Sequence, residues 1–344
     1  MIIRVCAFTD KAVRLAERIA EAFPDDFVEL WRKDVALSEW LEDAFAIHAP
    51  IVFVSAVGIA VRLLAPCVRR KESDVAAVVV DELGRFAIPI LSGHLGGANR
   101  LAETLARRIG ATPVITTATD LNGLMAIDVF AAENAMRLSD PRMIVKVSAK
   151  LLREGSFELA IAPGIAYEPG AAPPEVRFCE FSPDRRVDVA VSERPASQAT
   201  LTLIPKRLVL GIGCKKGTPP QVLERFVDER LDMAGLSSVD REFAAIATVD
   251  LKRREYALAR FATKNRAQFV VYSPEELAAV AGSFTRSEFV RETVGVDNVC
   301  ERAAVLCAGD GAELVLRKQS GNGVALAIAK RKAVVKTWKT QSIS

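Results

Sequence analysis

A chain of 344 residues, 50% hydrophobic and 26% charged, is long enough for two or three domains and too ordinary in charge for large-scale disorder. A net charge of +3, with no dense Lys/Arg tract interleaved with aromatics, argues against a nucleic-acid partner. Cys6, Cys67, Cys179, Cys214, Cys300 and Cys307 form no C-x-x-C pair, and there are only two histidines. The expectation is therefore free thiols in a reducing cytoplasm, without disulfides, structural zinc or a protein-bound catalytic metal. No apolar stretch approaches the roughly 20 residues needed to span a bilayer, and MIIRVCAFTDK reads as a strand rather than a signal peptide. A cytoplasmic protein without membrane contact is expected.

In chain order, IIRVCAF precedes DKAVRLAERIAEAF, whose Val13, Ala16, Ile19 and Ala20 fall at helical spacing. FVELW precedes the helical LSEWLEDAFA, with Ser38 as the expected cap. PIVFVSAVG reads as a buried parallel strand, IAVRLLAPCV as a helix, and AAVVVD, FAIPIL and TPVITTATD as strands. A helix over AIDVFAAENAMRL closes the unit. Repeated β–α units predict an α/β domain over residues 1–137, a doubly wound, mostly parallel sheet.

Residues 138–204 predict a small α+β middle domain. PRMIVKVSAKLLREG is helical after Pro141, FELAIAPG and RRVDVAVSE are strands, and APGIAYEPGAAPPE is a loop. SERPASQATLTLIPK, rich in Ser, Thr and Pro, is the expected boundary. A C-terminal α/β domain follows over 205–335, with 336–344 as a tail. It contains the strands RLVLGIG, FAAIATVD and QFVVYS and the helices PPQVLERFVDERLDMAG and REYALARFATKNRA. SPEELAAVAG is a helix capped by Ser273 with Pro274 first, and ELVLRKQSGNGVALAIAKR is a hairpin turning on Asn-Gly.

Two stretches concentrate polar chemistry. In LGIGCKKGTPP, a buried strand runs into Gly211, Gly213, Cys214, Lys215, Lys216 and Gly217, with Thr218 as expected N-cap and Pro219 as first helical residue. A strand end, a positive helix end and two lysines favour an anion, although neither the P-loop nor the dinucleotide spacing is present. Nearby cations can lower the pKa of Cys214, but a small residue filling the turn is the favoured reading. In PILSGHLGGANRLAETLARRIG, Ser92, Gly93, His94, Gly96, Gly97 and Asn99 precede or open a helix from about Gly97 to Ile109. Its glycines allow close backbone approach, and His94 can act as general acid or base near neutral pH. A functional turn and a capping histidine both fit these residues. TTATDLNG adds a polar rim at Thr116, Thr117, Thr119, Asp120 and Asn122. Asp250 stands just past a strand, and Glu288 follows Ser287 at a helix start; each fits a cap or first-turn carboxylate as well as a catalytic group.

The chain resembles the cobalt-precorrin-5A hydrolase family of anaerobic cobalamin biosynthesis. The resemblance rests on VFVSAVGIAVRLLAP, PILSGHLGGANRLAETLARRIGATPVITTATD and AIDVFA, then on LGIGCKKGT, ATVDLKRRE, SEFVRETVGVDNVCERAAVL and LRKQSGNGVALAIAKR. Lys215 stands where arginine is the family expectation, keeping charge without a bidentate fork. The resemblance implies opening of the ring A δ-lactone of a cobalt-bearing tetrapyrrole and release of a two-carbon fragment as acetaldehyde. The cobalt comes with the substrate, so no cofactor is expected. His94 is the implied acid/base, oriented or replaced by Asp120, Asp250 or Glu288. Substrate contacts are expected at Ser55, Gly58, Ser92, Gly93, Gly96, Gly97, Asn99, Thr117, Gly213, Cys214, Lys215, Lys216, Gly217, Thr218, Lys318 and Asn322, with Arg69 and Arg70 as further carboxylate holders. A homodimer and transient contact with neighbouring pathway enzymes are the macromolecular expectations. The rival expectations are a corrinoid carrier without turnover and a phosphate- or nucleotide-binding α/β enzyme. The C-terminal domain also resembles a stand-alone protein of the aerobic cobalamin pathway.

Overall fold

The computed structural model describes residues 1–70, 73–168, 172–236, 241–288, 292, 294–336 and 338, the side chains of Thr119 and Asp120 lying outside that set. The first sheet is built from β1 (Ile2–Ala7), β2 (Phe27–Leu30), β3 (Ile51–Val54), β4 (Ala77–Val80), β5 (Phe86–Leu91) and β6 (Thr112–Pro113), in the order β2-β1-β3-β4-β5-β6. Between them run α1 (Asp10–Ala22), α2 (Leu37–Ala46), α3 (Val57–Leu64) and α4 (Ala98–Ile109). β1, β3 and β4 are buried along their whole length, as near-continuous apolar strands covered on both faces require. α2 begins at Leu37 after Ala36, without a side-chain cap, so Ser38 lies inside the helix rather than at its cap. The ladder of TPVITTATD stops at Pro113, and the expected longer strand is absent.

One reversal sets the position of the site. β1, β3 and β4 are parallel, β5 runs antiparallel to β4, and β6 is parallel to β5. A parallel crossover needs a dozen or more residues, and the Asp81–Arg85 connection is far shorter. Burial pushes the Asp81 carboxyl up, but N–H donors from Leu83, Phe86 and Arg85 outweigh it and hold the group below its usual range.

The second sheet comprises β7 (Met136–Leu138), β8 (Phe157–Ile161), β10 (Val176–Cys179), β11 (Val187–Val191) and β12 (Ala199–Pro205), in the order β10-β8-β11-β12-β7; β9 (Ala166–Tyr167) lies apart from it. The short α5 (Ala118–Leu121), α6 (Ile127–Glu133) and α7 (Ile144–Glu154) belong to this stretch. Met125, Ile127, Phe130 and Ala131 lie in the same apolar cluster as Val147, Leu151, Phe157 and Leu159, so by packing this core begins before residue 138. The Ser/Thr/Pro-rich segment carries β12 (Ala199–Pro205), with Leu201 and Leu203 fully buried, and the division between compact units falls at its end, between Pro205 and Lys206.

The third sheet holds β13 (Leu208–Cys214), β14 (Phe243–Val249), β15 (Gln268–Tyr272), β16 (Glu313–Gly321) and β17 (Val324–Lys330), in the order β15-β14-β13-β17-β16. Its helices are α8 (Pro220–Met233), α9 (Tyr256–Lys264), α10 (Pro274–Ala278) and α11 (Cys300–Ala308). Ser273 and Glu276 form a capping box at α10. The hairpin turns on Asn322 (φ 53°) and Gly323 (φ 75°), the two positive values that a tight hairpin of this hand requires. Residues 206–332, with 1–2 and 25–27, make one compact unit, and residues 3–24, 28–205 and the chain from Ala333 make the other. Among the described residues no helix is long and apolar enough to cross a membrane.

The chain after Ala333 is built into the second unit. β18 (Val334–Val335) pairs with β9, Val335 is fully buried, and the Trp338 ring stacks on Phe130 at 4.7 Å. Its indole N–H donates to the Tyr167 hydroxyl at 3.2 Å. Trp338→Ala is expected to lower stability by about 2 kcal/mol, below the range of a fully buried Trp because this ring is half-buried. Urea unfolding followed by far-UV circular dichroism checks this, and an unchanged midpoint would contradict it.

Candidate functional site

The glycine-rich turn follows β5 and leads into α4. Because β5 and β6 are parallel to each other and reversed against β1, β3 and β4, the turn and Thr117 lie at the carboxyl ends of this pair. That is the edge where parallel β–α units bind ligands. Ser92 takes a left-handed φ of 52°, and its hydroxyl donates to the Asp74 carbonyl at 3.0 Å. Gly97, at φ 85°, forms the N-terminal boundary of α4, with no side-chain cap there. A Cβ on Gly96 would stand 2.4 Å from the Ser92 Cβ and 3.1 Å from the Ala76 nitrogen, so the fold itself excludes a side chain there. Buried Asn99 donates to the Thr117 hydroxyl at 2.9 Å, tying the helix start to the segment after β6.

The His94 imidazole is 10% exposed, and its Nδ1 lies 3.7 Å from Oδ1 of Asp128, whose side chain is 1% exposed. Asp74, also buried, accepts the backbone N–H groups of Arg69 and Arg70, so that basic loop stands at the same edge. The structure thus gathers Ser92, Gly93, His94, Gly96, Gly97, Asn99 and Thr117 with Arg69 and Arg70. Asp120 lies in α5, and its side chain falls outside the described residues.

Ser55 and Gly58 are not part of this group. The Ser55 N–H donates to the carbonyl of Val80 at the end of β4, whereas Ser92 bonds Asp74 before β4 begins. Those edges are separated by the length of β4 and the three residues before it, about 20 Å for six extended residues. The reversal of β5 is the cause. Ser55 instead lines a cleft of about 420 Å³ with Phe8, Thr9, Ile59, Leu83 and Arg85. Gly58 opens α3 beside it, with no atom within 4 Å of a Cβ placed there.

In the other unit, Gly213, Cys214, Lys215, Lys216, Gly217 and Thr218 leave β13 beside the hairpin turn. The Lys215 N–H donates to the Gly323 carbonyl at 2.9 Å, next to Asn322. Thr218 is not the cap of α8, which begins at Pro220 with Pro219 before it. A residue preceding proline is pushed out of the helical region, so Pro219 stays extended at φ −60°, ψ 137°. The Thr218 hydroxyl donates to the Lys215 carbonyl at 2.8 Å instead. Asp250 starts a 3-10 turn after β14, its Oδ1 buried without a hydrogen-bond partner. Glu288 is exposed, and the Lys318 N–H donates to buried Glu301 at 2.7 Å. Asp250 and Glu288 therefore belong to a different compact unit from His94.

The Cys214 thiol is not activated by the neighbouring lysines. Burial pushes its thiol up to about 11, the Glu255 carboxylate adds to this, and Lys252 and the Thr218 hydroxyl only partly oppose them. Iodoacetamide labelling of Cys214, followed by peptide mass, should run roughly a hundredfold slower than a model thiol at pH 8 and rise only toward pH 11. A labelling rate already at its plateau below pH 8 would contradict this.

Two functional candidates escaped the sequence reading. Asp128 sits within AIDVFA on the buried stripe with Ile127 and Ala131, and a carboxylate on an apolar face was the available signal. Glu255, buried at the start of α9, accepts the Gly217 N–H at 3.0 Å and pairs with Lys252 at 3.5 Å. It orders the lysine loop, and nothing in its spacing announces that.

Comparison with known proteins gives the class first. Residues 39–120 match the family described as cobalamin synthesis G N-terminal, and residues 208–329 match cobalamin synthesis G C-terminus, so this is a cobalamin-synthesis protein of two parts. The chain belongs to the cobalt-precorrin-5A hydrolase family. It is 35% identical to the cobalt-precorrin-5A hydrolase of Salmonella typhimurium, over 95% of this chain and 97% of that one. It is 30% identical to the enzyme of that name from Priestia megaterium, over 82% and 79%. A solved structure of a putative cobalamin biosynthesis protein G homolog from Sulfolobus solfataricus aligns over 96% of both chains, with 23% identity and a TM-score of 0.44.

Proposed function

We propose that this enzyme hydrolyses cobalt-precorrin-5A to cobalt-precorrin-5B, opening the ring A δ-lactone and releasing acetaldehyde, with the His94 turn as the place of proton transfer. The observation that supports this assignment most is the nearly buried His94 imidazole at the carboxyl ends of β5 and β6, held in a turn whose glycines keep side chains out. Lactone opening needs an activated water and donors for the developing oxyanion, which backbone N–H groups of the turn can supply. In the second step a base takes the hydroxyl proton, and the C–C bonding pair passes into the macrocycle, which serves as electron sink. His94 is that base.

Arg69 and Arg70, in the loop held by Asp74 beside the turn, are the partners for the substrate's acetate and propionate carboxylates. The cobalt is part of the substrate, so the chain needs no cofactor of its own, and its scattered thiols suit a cytoplasmic enzyme. Anaerobic incubation with cobalt-precorrin-5A, with acetaldehyde trapped and the pigment weighed by mass spectrometry, is the test. Release with a matching mass loss supports the reading, and tight pigment binding without release contradicts it.

A further inference from the structure

We infer that Asp128 is the positioning residue for His94, holding Nδ1 as the protonated nitrogen and leaving Nε2 basic. The inference rests on the reading that His94 is the base, and deepens it. Asp128 lies on α6, and its Oδ1 accepts the Val129 N–H at 3.1 Å while facing His94 Nδ1 at 3.7 Å. Its Oδ2 is buried with no hydrogen-bond partner. A buried carboxylate oxygen left without a donor is costly, and the fold gains no helix cap from it. His94 Nδ1 is a titratable group facing this carboxylate. Hydrogen bonds used in catalysis are commonly long before the substrate arrives and shorten in the complex, so 3.7 Å is compatible with a bond formed on binding.

The role follows from ring chemistry. A neutral imidazole carries one proton, and a carboxylate at Nδ1 fixes it there, because a carboxylate only accepts. Nε2 is then the unprotonated nitrogen. When it takes the substrate hydroxyl proton, the imidazolium that forms donates Nδ1–H to Asp128. The contact with Nδ1 is made by Oδ1, which also accepts the Val129 N–H. Asp250 and Glu288, expected from the sequence as orienting groups, lie in the other compact unit, and Asp128 takes that place within the unit that carries His94.

His94 shares the chain with a single other histidine, His48, so nitrogen-15 histidine spectra assigned with His48→Gln report its tautomer directly. In the substrate-free full chain, His94 is expected to show one tautomer with Nδ1 protonated. In Asp128→Asn, whose amide presents both a donor and an acceptor, that preference is expected to be lost. With cobalt-precorrin-5A, kcat for acetaldehyde should fall by about 10²- to 10⁴-fold while KM stays within about threefold. Asp128→Ala serves as a second variant, with the thermal midpoint showing that each is folded. A wild-type Nε2–H tautomer, or the same tautomer in wild type and both variants, overturns the inference. So does a folded Asp128→Asn with unchanged kcat. Full activity in His94→Asn would instead sink the assignment of His94 as base, while the tautomer spectra would still judge the Asp128 contact by themselves.

Discussion

His94→Asn is expected to bind cobalt-precorrin-5A nearly as wild type does and to release acetaldehyde about 10²- to 10⁴-fold more slowly in a single turnover. Asparagine keeps a polar side chain of similar reach, so the turn need not rearrange. Its conformation depends on Ser92, Gly96 and Gly97 and on the bond from Asn99 to Thr117, none of which the change touches. What is lost is a group that accepts and returns a proton near neutral pH. The effect should therefore fall on kcat, with KM moving by a few-fold at most. Stopped-time acetaldehyde trapping, with the visible spectrum of the pigment reporting binding, separates the two. Release at the wild-type rate would rule out His94 as the base, and weakened binding with unchanged release would make it a substrate contact alone.

The largest loss of stability is expected at Gly211→Ala. Gly211 lies in β13 beneath the first turn of α11, and a Cβ there would stand 1.8 Å from the Cys300 carbonyl oxygen and 2.7 Å from its carbon. Both atoms are backbone, so no rotamer change relieves the clash, and α11 must move off the sheet. The cost is about 3 kcal/mol or more, at the upper end of overpacking. Gly213 is the control, since nothing lies within 4 Å of a Cβ placed there. Gly213→Ala should leave stability within about 0.5 kcal/mol, and any rise in KM would then report on the ligand loop rather than on folding. Chemical unfolding of the two variants side by side decides this, and equal midpoints would contradict it.

Much of this was legible from local chemistry. The α4 boundaries, the Ser273 cap and the Asn322–Gly323 hairpin follow from glycine, proline and capping preferences that act within a few residues. The direction of β5 was legible too, in the shortness of the Asp81–Arg85 connection, and it puts Ser55 and Gly58 at the edge opposite His94. The mistaken Thr218 cap had a local answer in the second proline. Cys214 and Asp128 did not. Whether Lys216 or Glu255 dominates the surroundings of Cys214, and which carboxylate meets His94, depends on residues brought together by packing, and spacing along the chain carries no record of it. Trp338 likewise reads from the sequence as part of a tail, because its partners, Phe130 and Tyr167, lie far back in the sequence.

The central claim is that the chain opens a lactone with water and then expels acetaldehyde. The most direct measurement is a single turnover of cobalt-precorrin-5A with equimolar wild-type enzyme in oxygen-18 water under anaerobic conditions. Equimolar acetaldehyde, a pigment lighter by the two-carbon fragment and solvent oxygen in the newly freed carboxylate are predicted. A pigment of unchanged mass with no acetaldehyde, or release without solvent oxygen in the carboxylate, would contradict the account.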